Sequence, residues 1–417
     1  MENRREWLKK VPISLATGLT VGEIAHLIKS AQAQENTALA PEQEASYIVF
    51  VDSADGNKIK AKNGTTGKIE YSGTDGATVI QSAINALPNS GGAIVLRAGT
   101  YNIASSLSWK KATSTFTLRG EGMYNTVLNY TGSPRVSILD FDSGNFLDKQ
   151  RVVLRDFKVY VENSANTRVV NLNRVDSAYV EGVFVEAHYH ESGSIGFYTN
   201  APGNIELAIV NCKTVNCNVG YQMYTDHLFI ARCTASYGAK GFYFKTATRD
   251  FVGIGLHAYH QSNDAASVGF DIEYHNYGGQ ITLIECDSEN PAGGSYAPKD
   301  YKIQSGTNGI GTNILLINAD ASRKPPVVSI SGVAHYILGQ HFTTSGVATF
   351  DGNGSQKAFN IAHGLATTPR SYLALNAAAN LPGIDYLTAD STNITVNFTS
   401  APPSGTGNVK LSYWANV

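Results

Sequence analysis

Hydrophobic residues recur at helical spacing in only one short stretch of the chain, between residues 79 and 87. The apolar positions of that stretch are Val79, Ile80, Ala83, Ile84 and Leu87. They would share one face of a helix, with Thr74 or Asp75 placed to cap its first turn. A turn at 88–92 ends it, and the β-branched run AIVLRAGTYNI predicts a strand. After this, short apolar runs alternate with Gly and Asn turns, which indicates an all-β chain.

Two markers then repeat in step between about 150 and 300. Four glycines open similar tetrapeptides at intervals of 24, 21 and 28 residues: Gly196-Phe-Tyr-Thr, Gly220-Tyr-Gln-Met, Gly241-Phe-Tyr-Phe and Gly269-Phe-Asp-Ile. A second series is headed by Val183, Cys212, Cys233, His257 and Cys286. Two markers with one irregular period are typical of a solenoid. Each period has room for about three short strands, so the sequence predicts a parallel β-solenoid.

The stretches AKNGTTGKIEYSGTDGATVIQSAINAL, GGAIVLRAGTYNI and LRGEGMYNTVLNY resemble the first coils of the pectin-lyase-like family. The resemblance covers roughly residues 60–135 and extends to the entry of many phage tailspikes. It implies a right-handed parallel β-helix whose open end is sealed by the helix at 79–87. We therefore expect a parallel β-helix domain over residues 46–340.

The tail, residues 345–417, has five or six alternating strands separated by Gly, Pro, Asn and Ser turns. This pattern predicts a small antiparallel β-sandwich. Its FNIAHGL…TP segment is similar to C-terminal modules of tailspikes and of secreted β-helix proteins. That similarity implies a role in homotrimer assembly or receptor contact.

The N-terminal residues indicate export. NRREWLKK places Arg4 and Arg5 before an apolar stretch that ends at Ala31-Gln32-Ala33, an order that resembles a twin-arginine signal peptide. We therefore predict a signal peptide over 1–33, a linker over 34–45 and a secreted or surface protein. The alternative is an amphipathic helix that stays on the chain.

Charge and hydropathy limit the classes of molecule that the chain is expected to bind. The formal net charge is −2 and only 16% of residues are charged, so a nucleic-acid backbone has no electrostatic partner here. No other segment is apolar for long enough to predict a membrane span in the mature chain. Neither nucleic acid nor a bilayer is therefore an expected partner.

Strand alternation predicts one outward sheet rich in aromatic and polar residues. Phe197, Tyr221, Phe242 and Phe270 would face the interior. The outward positions would be Tyr198, Gln222, Tyr243 and Asp271, joined by Asn200, Tyr224, Lys245 and Glu273. Flat rings beside fixed polar groups suit a polysaccharide or cell-surface glycan. The alternative is an ordinary solvated sheet.

Three aspartates are candidate catalytic residues. Asp176, Asp226 and Asp250 each lie seven residues before a marker, namely Val183, Cys233 and His257. In one register, Asp226 and Asp250 would lie about 4.8 Å apart on adjacent coils, with Asp176 two coils away. Such pairs serve glycosidases, whereas the alternative is turn chemistry. The chain lacks the lyase arginine motif and the polygalacturonase motifs of the resembled family; a lyase would also need a cation such as Ca²⁺.

Histidines and cysteines predict no metal site. His188, His190 and Glu191 lack a further ligand and favour a surface loop. His257 shares its marker position with Cys212, Cys233 and Cys286, which indicates a stacked interior residue. Cys212 and Cys233 lie in register for a disulfide, although stacked free thiols are the default.

Two functions remain open from the sequence. One is a glycoside hydrolase or polysaccharide lyase that acts on an extracellular polymer. The other is a non-catalytic trimeric adhesin or surface fibre, with the solenoid as a stiff spacer.

Overall fold

The computed structural model describes most of the chain from residue 45 onward. The described residues are 45–145, 148–200, 206–246, 250–259, 267–274, 280–289, 299–304, 313–317, 320–321, 328–331, 336–338 and 342–417. The predicted signal peptide (1–33) and nearly all of the predicted linker (34–45) lie outside these residues.

The chain enters through an antiparallel ribbon and one helix. Strands β1 (Tyr47–Asp52), β2 (Lys58–Asn63) and β3 (Ile69–Gly73) pair antiparallel in sequence, and a 3₁₀ turn at Ser53–Asp55 links β1 to β2. Helix α1 (Gly76–Asn85) follows, with the Asp75 carboxylate accepting hydrogen bonds from the backbone amides of Ala77 and Thr78. The apolar face of α1 is buried, as its spacing predicts.

Short parallel strands make up the solenoid. In chain order they are β4 (Gly91–Leu96), β5 (Gly99–Ile103), β6 (Leu107–Ser108), β7 (Thr115–Arg119), β8 (Thr126–Tyr130), β9 (Ser137–Asp140), β10 (Arg151–Val161), β11 (Arg168–Asn171), β12 (Ser177–Tyr198), β13 (Glu206–Val210), β14 (Lys213–Met223), β15 (His227–Ala231), β16 (Thr234–Ser236), β17 (Lys240–Thr246), β18 (Asp250–Ile254), β19 (His257–Tyr259), β20 (Val268–Tyr274), β21 (Gln280–Ile284), β22 (Asp287–Glu289), β23 (Lys299–Gln304), β24 (Asn313–Ile317), β25 (Asp320–Ala321), β26 (Val328–Ser331) and β27 (Tyr336–Leu338).

These strands form three faces, because each pairs in parallel with its equivalent one coil later. Face 1 runs from β4 and β7 through the starts of β10 and β12 to β13, β15, β18, β21, β24 and β27. Face 2 contains β5, β8, the parts of β10 and β12 after the corner, the start of β14, then β16, β19, β22 and β25. Face 3 contains β6, β9, β11, the ends of β12 and β14, then β17, β20, β23 and β26. The predicted parallel β-helix is confirmed.

The interior of face 3 holds an aromatic stack. Phe197, Tyr221, Phe242, Phe270 and Tyr301 occupy one position of successive coils. Their ring centroids are 5.0, 4.8, 5.2 and 5.1 Å apart in that order. The first four are the residues that alternation predicts to face inward.

From β10 to β22, six successive coils turn from face 1 to face 2 at one residue in the left-handed region, whereas the earlier corner between β7 and β8 is a longer link, residues 120–125. In successive coils this corner residue is Asp156, Gly182, Asn211, Arg232, Gly255 and Glu285, with φ between 52° and 61°. One such residue reverses the alternation, so that even-numbered apolar positions before it give way to odd-numbered ones after it in β10. The corner therefore keeps both faces packed on a single core.

Two three-stranded antiparallel sheets form the C-terminal module. One has the order β28 (Thr343–Gly352), β33 (Gly405–Asn416) and β30 (Ser371–Asn376); the other has β29 (Ala358–Ala362), β32 (Asn393–Phe398) and β31 (Ile384–Ala389). Phe350 and Phe359 pack between them, 5.4 Å apart. At the solenoid end, the Val417 amide donates to the Phe342 carbonyl at 3.1 Å, and the Phe342 ring lies edge-on to Tyr301.

Candidate functional site

The predicted outward row on face 3 has the predicted register but presents less open surface than expected. Tyr198 pairs with Gln222, Gln222 with Tyr243, and Tyr243 with Asp271 across successive coils. Gln222 and Tyr224 are half-buried, and the Tyr224 amide donates to the Thr199 hydroxyl at 2.7 Å. The side chain of Lys245 lies outside the described residues.

Two members of this row are covered, so their prediction as solvent-facing is wrong. Tyr198 is 5% exposed, because the Arg168 guanidinium lies 4.0 Å from its ring centroid. Asp271 is fully buried beneath the Lys240 ammonium at 2.5 Å and the Lys302 ammonium at 3.8 Å. Local cation contacts occupy these groups, so this part of face 3 is a structural ladder.

Two further members of the row, Tyr243 and Glu273, contact each other. The Tyr243 hydroxyl donates to the Glu273 carboxylate, and the Lys240 ammonium lies 3.9 Å from the Tyr243 ring centroid. Burial, then the hydrogen bond to Glu273, raises the pKa of Tyr243 above its usual range. These contacts occupy the Tyr243 hydroxyl and the Glu273 carboxylate.

The three predicted catalytic aspartates do not share one register. Asp250 pairs with His227 rather than with Asp226, so Asp250 lies one position further along its coil than Asp226 does. Asp226 and Asp176 do share a position, since Ser177, Glu206 and His227 align. Asp226 is half-buried, and Asp176 lies 4.0 Å from the Arg151 guanidinium. The side chain of Asp250 is outside the described residues.

The predicted alignment of Asp250 with Asp226 is off by one residue because it takes His257 as the equivalent of Cys233. His257 pairs with Thr234 and Asp287, not with the cysteines; Leu256 takes the interior position and is fully buried. The prediction of a stacked interior His257 is therefore wrong. Its Nδ1 atom lies 2.7 Å from the Asp287 carboxylate, and that hydrogen bond raises the pKa of His257 against the opposing effect of burial.

The four cysteines are free and buried, which confirms the expectation of free thiols over a disulfide. Burial, followed by the contact with Cys233, raises the pKa of the Cys212 thiol. His188, for which the sequence favours a surface loop, lies in β12 instead and shares a hydrogen bond with the Tyr160 hydroxyl at 2.8 Å. Within the described residues, no group of three or more His, Cys, Asp or Glu side chains is arranged to hold a metal ion.

The structure brings together an aromatic patch on face 2 that the sequence did not predict. Its members are Tyr124, Tyr160, Phe184, His188 and Tyr189. Tyr124 and Tyr189 are 67% and 66% exposed. Tyr124 lies edge-on to Phe184 at 5.8 Å, and His188 contacts both Tyr160 and Tyr189 at 6.3 and 4.0 Å between ring centroids. We call these five residues the aromatic patch.

Two lysines hold the centre of the aromatic patch. Lys158, Phe184 and Lys213 occupy one outward position of three successive coils. The Lys158 ammonium lies 4.9 Å from the Phe184 centroid and 5.4 Å from that of Tyr160, and Lys213 lies 5.2 Å from Phe184. Lys158 also pairs with Glu186. The patch therefore combines apolar rings with charged and hydrogen-bonding groups.

A charged cluster adjoins the aromatic patch at the corner between faces 1 and 2. Arg119, Arg155 and Glu181 occupy one outward position of successive coils, and Asp156 is the corner residue beside them. We call these four residues the corner cluster. Since Asp156 precedes Lys158 by two residues and Glu181 precedes Phe184 by three, cluster and patch are neighbours along β10 and β12.

The two carboxyl groups of the corner cluster have different surroundings. Glu181 pairs with the Arg155 guanidinium at 2.8 Å and accepts a hydrogen bond from the Tyr179 hydroxyl at 3.0 Å. No described residue hydrogen-bonds the half-buried Asp156 carboxyl. Burial raises the pKa of Asp156; the charge of Glu181 adds to the rise and that of Arg155 opposes it.

The loop that carries Tyr124 is fixed on the corner by its backbone. The Gly120 amide donates to the Arg155 carbonyl, and the Gly122 amide to the Asp156 carbonyl, both at 2.9 Å. A Cβ atom on Gly120 would lie 2.2 Å from the Asp156 carbonyl oxygen. The Gly120-Glu121-Gly122 turn therefore serves to place Tyr124 over the corner.

One sequence signal would have located this corner. In LRDFKVYV the apolar alternation changes phase at Asp156, from Val152 and Leu154 to Phe157 and Val159. The same change occurs at Gly255, between Phe251 and Leu256. The phase change at Gly255 also predicts that the side chain of His257 faces outward.

Comparison with known proteins gives fold likeness alone. No protein-family model matches the chain, and no curated protein does. Among solved structures, ORF18 of Geobacillus virus E2 is 12% identical, with 93% of this chain and 82% of that chain covered and a TM-score of 0.45. The PL6 family alginate lyase AlyGC is 14% identical, with 63% and 39% covered and a TM-score of 0.38; this chain thus spans well under half of that enzyme.

A third structure is the tailspike gp61 of Pseudomonas phage phi297. It is 11% identical, with 81% of this chain and 91% of that chain covered and a TM-score of 0.26. All three identities are below 25% and the TM-scores are low, so these likenesses concern the fold and say nothing about the site. None of the helices in the described part of the chain has the length and hydropathy needed to cross a bilayer.

Proposed function

We propose that the protein is an exported polysaccharide-binding protein and that the aromatic patch on face 2 is its glycan-binding surface. The observation that carries this is the pair of two-thirds-exposed rings, Tyr124 and Tyr189, on a patch whose other rings contact lysine and hydroxyl groups. Sugar rings have apolar faces rimmed by hydroxyls, so they suit exposed aromatic rings beside fixed polar groups.

The repetition of the solenoid favours a polymer over a small sugar. Equivalent outward positions recur about every 4.8 Å along the axis, and Lys158, Phe184 and Lys213 are such positions in successive coils. A surface with that repeat offers contacts to several consecutive sugar residues. This also accords with the likeness to a tailspike and to an alginate lyase, although those proteins differ greatly from this one in sequence.

Affinity electrophoresis in gels that contain single polysaccharides tests the proposal. We expect the wild-type chain to be retarded by at least one polymer. Tyr124→Ala and Tyr189→Ala should each weaken that binding about tenfold, which corresponds to about 1.4 kcal/mol. Tyr386→Ala is the matched control, because Tyr386 is a comparably exposed tyrosine, 55%, in the C-terminal module.

Two outcomes would contradict the proposal. One is a wild-type chain that no neutral or charged polysaccharide retards. The other is binding that both patch variants retain at full strength, or that Tyr386→Ala weakens equally. Weaker binding by Tyr386→Ala would place the glycan contact in the C-terminal module.

We further propose that the module joins copies of the chain into a homotrimer. The outer side of sheet β28-β33-β30 carries Val347, Leu373 and Leu375, which are 61%, 44% and 62% exposed. Val347 and Leu375 both pair with Ser412, and Leu373 pairs with Trp414, so these residues form one apolar face. Copies of one chain carry this same apolar row, which suits a symmetric contact.

Light scattering after size exclusion measures the mass of the assembly. We expect a trimer for the wild-type chain and for Tyr386→Lys, and monomers for the Leu373→Lys, Leu375→Lys double variant. A monomeric wild-type chain at micromolar concentration would be incompatible with this assembly.

Export through residues 1–33 remains a prediction that a substitution of both arginines tests. The Arg4→Lys, Arg5→Lys double variant should accumulate inside a host with a twin-arginine pathway, whereas the wild-type chain should be exported with that segment removed. Equal export of both would count against this signal.

A further inference from the structure

We propose that the corner cluster cleaves the bound polysaccharide by hydrolysis, with Asp156 as proton donor and Glu181 as the base that activates water. This rests on the proposed glycan-binding function and assigns a reaction to its surface.

The position of Asp156 gives it access to a bound chain. The corner residue one coil later is Gly182, with φ of 61°. A Cβ atom at that position would lie 2.9 Å from the Asp156 Oδ1 atom. Because Gly182 has no side chain, nothing there displaces the Asp156 carboxyl, which stays partly exposed, and no described residue hydrogen-bonds it.

The same coils place a flat apolar platform next to the two carboxyl groups. Tyr124 is carried by a turn that hydrogen-bonds the backbone of Arg155 and Asp156, and its ring meets Phe184, three residues beyond Glu181. A sugar stacked on Tyr124 would therefore have a neighbouring glycosidic bond near the corner. An acidic group and a carboxylate beside a sugar platform are the groups that glycoside hydrolysis requires.

The surroundings of the two groups fit different roles. Glu181 is held by Arg155 and Tyr179, which fixes the orientation of a carboxylate that must accept a proton from water. Asp156 lacks such partners and is half-buried, an environment that favours a carboxylic acid able to donate. Arg119 lies on the other side of Arg155 in the same outward row and contributes the remaining positive charge that faces Asp156.

The reaction balances with water as the only co-reactant. The bond between the anomeric carbon and the glycosidic oxygen breaks, and that oxygen takes the proton of Asp156. Water adds to the anomeric carbon, and its proton passes to Glu181. One proton then moves from Glu181 to Asp156 through solvent, so each cycle consumes one water and yields two shorter chains.

The test measures new reducing ends released from those polysaccharides that the wild-type chain retards in affinity electrophoresis. We expect release by the wild-type chain and a loss of 100-fold or more in kcat for Asp156→Asn and for Glu181→Gln. Both variants should still bind the polymer, which shows that they fold. Glu285→Gln is the matched control, because Glu285 is the exposed corner residue of a coil about 24 Å away.

Each outcome separates the reaction from the binding. Binding by the wild-type chain without any release overturns the hydrolytic inference and leaves the proposed function standing. Absence of binding by the wild-type chain overturns the proposed function itself. Release that Asp156→Asn retains, or that only an Asp226→Asn, Asp250→Asn double variant abolishes, overturns the assignment to the corner cluster.

Discussion

Replacement of Phe242 by alanine is the most direct probe of the stacked interior. Phe242 is fully buried, and its ring is stacked between Tyr221 at 4.8 Å and Phe270 at 5.2 Å. Truncation of a buried phenylalanine costs about 3–5 kcal/mol. Loss of two stacked contacts adds about 0.5–1.5 kcal/mol each, so we expect the free energy of unfolding to fall by at least about 4 kcal/mol.

Equilibrium unfolding in guanidinium, followed by both far-ultraviolet circular dichroism and tyrosine fluorescence, measures this loss. Coincident curves from the two probes would show that one free energy describes the transition. Phe242→Leu is the control, since it keeps most of the volume and should lose much less than the alanine variant. Phe197→Ala should also lose less, because among the described residues Phe197 stacks only on Tyr221.

A fall of less than about 2 kcal/mol for Phe242→Ala would refute this reasoning. It would mean that neighbouring coils close the cavity at little cost, or that local unfolding of a few coils replaces cooperative unfolding. An equal effect of Phe197→Ala and Phe242→Ala would show that the stack adds nothing beyond burial.

Three other predictions follow from contacts described above. Gly182→Ala should lower stability by about 1–2 kcal/mol, because φ of 61° strains any residue with a Cβ atom; a melting temperature equal to wild type would contradict it. Ile84→Asp places a charge on the buried face of α1 and should reduce soluble expression, whereas Asn85→Asp, at an exposed position of the same helix, should not; a soluble and folded Ile84→Asp chain would count against the role of α1 as a cap. Asp287 raises the pKa of His257, so their contact stabilises the fold fully below the unfolded pKa of about 6.5 and less as pH rises through the folded value; Asp287→Asn should therefore lower the melting temperature more at pH 5.5 than at pH 8.5, and a pH-independent difference would disprove the linkage.

The parallel β-helix could be predicted from the sequence because the same weak motif recurs in successive coils. One Gly-aromatic tetrapeptide means little, but four in step identify stacked coils, and the inward residues Tyr221 and Phe242 follow from alternation alone. The register error at His257 shows the limit of that argument. A polar residue in the place of a cysteine looked like a substitution within the marker, while the phase change at Gly255 had moved the marker by one position.

The candidate site was less predictable because exposure depends on neighbours from other coils. Tyr198 does point outward, yet Arg168 from the preceding coil covers it. Nothing in the linear pattern marks Tyr124, since only the hydrogen bonds of its glycine turn to the backbone of Arg155 and Asp156 show where that turn lies. Burial and pairing across coils decide which outward residues can meet a ligand, and a linear pattern does not contain them.

The left-handed residue at the corner between faces 1 and 2 bears on where the chain can accept insertions. Two residues, the first with a φ of 52–60°, link β13 to β14, β18 to β19 and β21 to β22. The links from face 3 back to face 1, such as Met223 to His227 and Gln304 to Asn313, differ in length. From β13 onward, insertions can thus accumulate at the edge between faces 3 and 1 without changing the spacing at the edge between faces 1 and 2. The corner residues of these coils keep their spacing, while the links at the other edge are free to vary.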